Sequence, residues 1–230
     1  MVQHNWSQIQ AIIFDMDGTL VDTERLWKKS EKDLLANHNR QYDEIIHAPF
    51  LGLETGELIA SIRRAYDLEA IDQDDLEEEL HVRVEAYLKT ETIPQPGAVD
   101  LVNHVLRNKF PTAIATNSSR RIVDATLAEQ RWTDAIRIRC CADDVKQGKP
   151  APDLYLLAAQ SVGIAPENCI AIEDSLNGSR AAIAAGMICL SIPQHDLSSI
   201  AHFSAVTPFV FDGMHAVHQF LIEKGILVEE

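Results

Sequence analysis

The chain has 230 residues, 46% of them hydrophobic, which is ample for a buried core with a modest insertion. Its formal net charge of −15 argues against a polyanion such as nucleic acid as a partner, although a few cations and backbone amides can still hold a small anion. No apolar run reaches the roughly 20 residues that span a bilayer, and the opening MVQHNWSQIQ lacks a charged-then-apolar leader, so a cytoplasmic chain with no membrane partner is expected.

Taken in order, the first apolar run, Ala11 to Phe14, fits a short buried strand stopped by Asp15-Met16-Asp17-Gly18-Thr19. Two carboxylates one residue apart point to the same side if strand geometry persists, so one can act as nucleophile or metal ligand and the other as acid or base. Calcium loops and ordinary turns use the same pattern. Stretches 24–38, 54–67 and 73–90 then carry Leu, Ile, Ala and Val at helical spacing with Glu and Lys between them. The acidic run DQDDLEEEL (72–80) reads as the solvated face of such a helix. The first and second strands stand about 90 residues apart, far more than a simple crossover needs, so an all-helical insertion is expected over 23–93. It returns at TIPQPG (92–97), where Pro94, Pro96 and Gly97 break regular structure ahead of the helical AVDLVNHVLRN.

Further strands are expected at TAIAT (112–116), IRIRCC (136–141), CIAI (169–172) and MICLSI (187–192), each after a stretch of helical character. The alternation predicts an α/β class: a Rossmann-like parallel sheet flanked by helices, formed from residues 1–22 and 94–230. Cys140, Cys141, Cys169 and Cys189 lie in or beside these runs without CxxC spacing, which predicts buried thiols rather than a zinc site or disulfides.

Ligands of open parallel sheets bind beyond the carboxyl ends of the strands. Besides the Asp15–Asp17 pair, three such ends carry reactive groups. Thr116-Asn117-Ser118-Ser119 offers hydroxyls and backbone amides suited to phosphate oxygens, or to capping a helix. Gly148-Lys149-Pro150 sets an ammonium in a stiff turn, where a solvated surface lysine is the bland alternative. Glu173-Asp174 offers carboxylates suited to a hard cation such as Mg2+, or an N-cap. Together they supply a nucleophile, a hydroxyl, a cation and metal-binding carboxylates on consecutive strand ends.

Read in order as DMDGT, TNSS, GKPAPD and IEDSLNG, these segments resemble the four motifs of the haloacid dehalogenase superfamily of phosphotransferases. The resemblance covers essentially the whole chain and implies that the insertion is the helical cap of the β-phosphoglucomutase-like branch. It implies Asp15 as nucleophile and Asp17 as general acid and base. It implies Mg2+ held by Asp15, the backbone carbonyl of Asp17, Asp174 and nearby Glu173. Thr116, the Asn117 region and Lys149 would bind the transferring phosphoryl group. Dehalogenase members lack the second aspartate, so Asp17 argues against carbon–halogen cleavage.

The expectation is a Mg2+-dependent phosphomonoester hydrolase for a small phosphorylated metabolite, a sugar or polyol phosphate, with no protein partner evident. Mutase members carry a histidine and a glycine-preceding lysine where this chain has Trp27 and Leu51, which weighs against mutase activity. A phosphonate hydrolase would need a cap lysine, for which Lys28 and Lys29 are formal candidates. A non-catalytic binding role is the remaining alternative. Trp27 and Glu24 are candidate substrate contacts, with Glu54 and Arg63 or Arg64 as further cap candidates.

Overall fold

The computed structural model describes residues 5–50, 55–193 and 197–228. In chain order it contains β1 (Ala11–Phe14), β2 (Val21–Asp22), α1 (Glu24–Asn37), α2 (Glu44–His47), α3 (Thr55–Ala65), α4 (Gln73–Glu91), β3 (Ile93–Pro94) and α5 (Ala98–Arg107). It continues with β4 (Thr112–Ala115), α6 (Arg120–Leu127), β5 (Ile138–Cys140), α7 (Asp153–Val162), β6 (Cys169–Glu173), α8 (Leu176–Ala184), β7 (Ile188–Ser191), α9 (Leu197–Ser204) and α10 (Met214–Glu223). Among the described residues, no helix is long and apolar enough to cross a membrane.

The chain divides into two compact units, Met1–Asp22 with Ile93–Glu230, and Thr23–Thr92. In the first, five parallel strands lie in the order β5-β4-β1-β6-β7. All five expected strands form. The IRIRCC run shortens at its start because Ile136 is drawn into a turn, its N–H donating to the Thr133 carbonyl at 2.9 Å. After β1 the chain builds outward through β4 and β5 and then returns to the other side of β1 for β6 and β7, so β1 and β6 flank the switch point where such sheets bind ligands.

Side-chain alternation sets the two layers. Ile12, Phe14, Ile114, Ile170, Ile172 and Leu190 face one side, packing with α5, α6 and α10 residues such as Leu101, Val123 and Leu221. Ala11, Ile13, Ala113, Ala115, Ala171 and Cys189 face the other, where α7 and α8 present Leu154, Tyr155, Ala158 and Ala181. Small residues on this second face let those helices come close to the sheet, and the helix after β6 is thereby held against the strand that carries Glu173. All four cysteines are free and buried. A two-residue antiparallel ladder, Val21 with Pro94 and Asp22 with Ile93, joins the chain's exit from this unit to its return. No periodicity announced it, because two residues carry none.

The second unit is all-helical. α4 buries Leu76, Leu80, Val84 and Leu88, one residue per turn, and packs against both α1 and α3. The acidic run lies on α4 with Asp74, Asp75 and Glu78 exposed, and the Asp72 carboxylate caps the helix by accepting from the Asp74 N–H at 2.9 Å. Leu51, Gly52 and Glu54 lie outside the described residues.

Close packing on the alanine face has a testable cost. Ala171→Leu, at the centre of β6, is expected to destabilise the chain by about 1–3 kcal/mol through overpacking against α7 and α8. Urea unfolding would show this as a lowered midpoint, and an unchanged midpoint would mean that the face is loosely packed.

Candidate active site

Asp15 is the first residue past β1, and its N–H still pairs with the Ile172 carbonyl at 3.0 Å. This last ladder bond carries the strand's geometry one residue beyond its end and sets the Asp15 carboxylate at the sheet's carboxyl edge, where it is 6% exposed. The chain then turns sharply. Gly18 takes φ +81°, a left-handed conformation that a side chain disfavours, and its N–H donates to the Val21 carbonyl at 2.8 Å. The Leu20 and Val21 N–H groups both donate to the Met16 carbonyl, at 3.0 and 3.1 Å. Asp17, inside this turn, receives two hydroxyls from the end of β4 on its Oδ2: Thr116 Oγ1 at 3.0 Å and Ser118 Oγ at 2.7 Å.

Lys149 is buried, and its Nζ stands 2.5 Å from both Asp15 Oδ1 and Glu173 Oε1. Its backbone is clamped by Asn117, whose Oδ1 accepts the Lys149 N–H at 2.7 Å and whose Nδ2 donates to the Lys149 carbonyl at 3.1 Å. A Cβ added at Gly148 would lie 2.6 Å from that Asn117 Oδ1, so the clamp needs a glycine there.

Glu173, the last residue of β6, is fully buried and saturated. Oε1 accepts from Lys149 and from the Tyr155 hydroxyl at 3.0 Å. Oε2 accepts the Asp174 and Ser175 N–H groups and the Ser175 hydroxyl, each at 3.0 Å. Gly178 closes over it: a Cβ there would fall 1.7 Å from Oε1. Asp174 receives the Thr19 hydroxyl on Oδ1 at 3.1 Å.

Carboxylate oxygens of Asp15, Glu173 and Asp174 lie within 4.8 Å of one another. Burial, with Glu173 and Asp17 nearby, pushes Asp15 up to about 7 against the opposing pull of Lys149. Burial and the charges of Asp15 and Glu173 likewise raise Asp174 well above the carboxylate range. Lys149 is stabilised as the ammonium, because Asp15 and Glu173 outweigh the burial that disfavours its charge. One ammonium thus faces more negative charge than it can neutralise. A hard oxygen donor set with a surplus of negative charge fits a divalent cation.

The strand ends therefore bring together Asp15, Asp17, Thr116, Lys149, Glu173 and Asp174. Asn117 is present but differently employed, its side-chain amide being committed to the Lys149 backbone. Glu24 and Trp27 belong to α1 of the helical unit, where Glu24 is exposed and the half-buried Trp27 ring meets His81 edge-on at 6.5 Å. Arg63 and Arg64 donate to the Glu69 and Ala60 carbonyls of the same unit at 3.0 and 3.2 Å. Two residues of the site escaped the reading of sequence. Tyr155 sits among apolar helix residues and looks like core until its hydroxyl is seen on Glu173. Thr19 closes DMDGT, yet nothing local shows that its hydroxyl serves Asp174.

Comparison with known proteins places this geometry. A family model described as haloacid dehalogenase-like hydrolase matches residues 9–186. Fructose-1-phosphate phosphatase YqaB of Escherichia coli (strain K12) is 33% identical over 190 residues, covering 81% of this chain and 98% of that protein. Protein SUPPRESSOR OF QUENCHING 1, chloroplastic, of Arabidopsis thaliana is 30% identical over 82% of this chain, which spans only 18% of that longer protein. Among solved structures, CbbY from Rhodobacter sphaeroides in complex with phosphate superposes with a TM-score of 0.76 at 29% identity, covering 90% of this chain and 95% of that one. A point mutant of that protein has also been solved in complex with xylulose-(1,5)bisphosphate. By the matched family model and a relative aligned over nearly its full length, the chain belongs to the haloacid dehalogenase-like hydrolases and is a phosphatase of that family.

Proposed function

We propose that the chain hydrolyses a small sugar or polyol phosphate with the help of Mg2+, passing through a phospho-aspartate formed on Asp15. The observation that carries this reading is the Lys149 ammonium at 2.5 Å from Asp15 Oδ1, a cation fixed beside the nucleophile where a phosphate dianion must arrive. At 4 Å and an effective dielectric near 20, each pair of like charges repels by about 4 kcal/mol, so an uncompensated approach would be strongly opposed. Lys149 offsets part of that repulsion, and the Thr116 hydroxyl with the Asn117 backbone N–H would hold the equatorial oxygens. Bound Mg2+ would add positive charge beside Asp15 and Asp174, stabilising charge on the transferring group. Glu173, its oxygens filled, would orient Lys149 from behind.

In the first step an Asp15 oxygen bonds to phosphorus while the bond from phosphorus to the leaving oxygen breaks, and that oxygen takes a proton from Asp17. In the second, Asp17 removes a proton from water as the water oxygen attacks phosphorus. The Asp15–phosphorus bond then breaks, freeing phosphate and restoring the Asp15 carboxylate and the protonated Asp17. On this reading residues 1–22 and 94–230 carry the chemistry. The fructose 1-phosphate in the name of YqaB and the xylulose-(1,5)bisphosphate bound to a CbbY mutant support a sugar phosphate. Trp27 in place of the mutase histidine weighs against phosphoryl return to product. Lys28 and Lys29, the formal candidates for Schiff-base chemistry, are engaged in ion pairs with Glu44 and Glu91 at 2.9 and 2.7 Å. A cytoplasmic setting with a diffusible metabolite as partner goes with this reading.

Phosphate release from a panel of sugar and polyol phosphates tests it. Asp15→Asn is expected to abolish Mg2+-dependent release, and Asp17→Asn to lower kcat by about 10²–10⁴-fold; full activity in either variant would sink the assignment. Metal binding should also be linked to protons. Because Asp15 holds a proton below about pH 7, the cation must displace it. Calorimetry should therefore show Mg2+ affinity rising with pH from about 5.5 to about 7, with proton release, and levelling above. An affinity indifferent to pH over that span would count against Asp15 as a ligand.

A further inference from the structure

Ser118 makes two hydrogen bonds that converge on the proposed acid. Its hydroxyl donates to Asp17 Oδ2 at 2.7 Å, and its backbone N–H donates to Thr116 Oγ1 at 3.1 Å. Thr116 Oγ1 in turn donates to the same Oδ2 at 3.0 Å. The backbone that carries Ser118 is itself pinned. Its carbonyl accepts the Ala142 N–H at 3.0 Å, and the next residue, Ser119, is the N-cap of α6, accepting from the Ile122 N–H at 3.5 Å. The hydroxyl is thus presented from a fixed element.

A hydroxyl has a single proton to give. Thr116 cannot donate to Asp17 and to a phosphoryl oxygen at once, so when it serves substrate, Asp17 loses one of its two donors on Oδ2. Ser118 keeps the other. The Ser118 bond to Oδ2 still orients the carboxyl after Thr116 turns away. We infer that Ser118 is a positioning residue for Asp17, holding its carboxyl in place while Thr116 turns to the substrate. The inference rests on the phospho-aspartate reading above. It concerns the first half-reaction, in which the electron pair of the broken phosphorus–oxygen bond goes to the departing alkoxide and the Asp17 proton follows it.

The consequence is selective. A sugar alkoxide is a strong base and departs poorly without that proton, whereas p-nitrophenolate is a weak base and leaves as the anion. Measurements of kcat/KM, which report steps up to the first irreversible bond cleavage, should be compared for fructose 1-phosphate, or the best ester of the panel, and p-nitrophenyl phosphate. Ser118→Ala is expected to lower the value for the sugar phosphate by about 10- to 100-fold, the worth of one hydrogen bond to a charged group, and that for the nitrophenyl ester by less than about threefold. Ser118→Thr, which keeps the hydroxyl, should recover most of the loss. An equal fall for both esters would mean a structural or phosphate-binding role and would overturn the inference, as would no fall for either. A wild-type chain that released phosphate from neither ester would refute the hydrolase reading and this inference with it.

Discussion

The site depends on one shared cation. Lys149 enters a region walled by Asp15, Glu173 and Asp174, and its ammonium is ion-paired to the buried carboxylates of Asp15 and Glu173. Removing one member of a buried ion pair typically costs about 3–5 kcal/mol, because the remaining charge is left in a poorly solvated place. The surrounding structure serves to hold that ammonium still: Asn117 grips its backbone, Gly148 gives Asn117 room, and Tyr155 and Gly178 fix the Glu173 carboxylate it leans on. Residues from the ends of β1 and β6 are thereby tied to one atom, Nζ, and the end of β4 is tied to the backbone of the same lysine, across a sheet whose parallel register brings those ends level.

That arrangement explains why the two faces of the sheet differ. The side with Ile12, Phe14, Ile170 and Leu190 supplies most of the bulky apolar contact that drives folding. The alanine-rich side gives up some of that contact and brings α7 near enough for Tyr155 to reach Glu173 at 3.0 Å. Packing and chemistry are thus apportioned between layers, and residues that look undistinguished in composition, Ala113, Ala115 and Ala171, form the face against which Tyr155 packs.

Much of this was legible in the order of residues. Short apolar runs each ending in a reactive side chain mark both the strands and the edge of the sheet where the site forms, so Asp15, Asp17, Thr116, Lys149, Glu173 and Asp174 could be grouped before any coordinates. What could not be read depends on three-dimensional partnership. The Asn117 amide belongs to Lys149, 32 residues away, and Tyr155 belongs to Glu173, 18 residues away. Neither pairing leaves a periodic trace. The β2–β3 ladder is too short to show alternation, and strand order follows from packing rather than from any local propensity.

The same electrostatics bear on stability. Asp15 titrates near 7 in the folded chain against 3.8 as its ordinary value, so the folded state binds its proton more tightly than the unfolded state does. By linkage, this group's contribution is fully present below about pH 4 and is lost as pH rises toward about 7, the reverse of an ordinary salt-bridged aspartate. At neutral pH the carboxylates that the chemistry requires are therefore a burden on the fold, which Lys149 relieves only in part. A divalent cation that binds the folded site and not the unfolded chain would lift the remainder by mass action, so that the oxygens proposed to serve the chemistry would also let a metal support the fold.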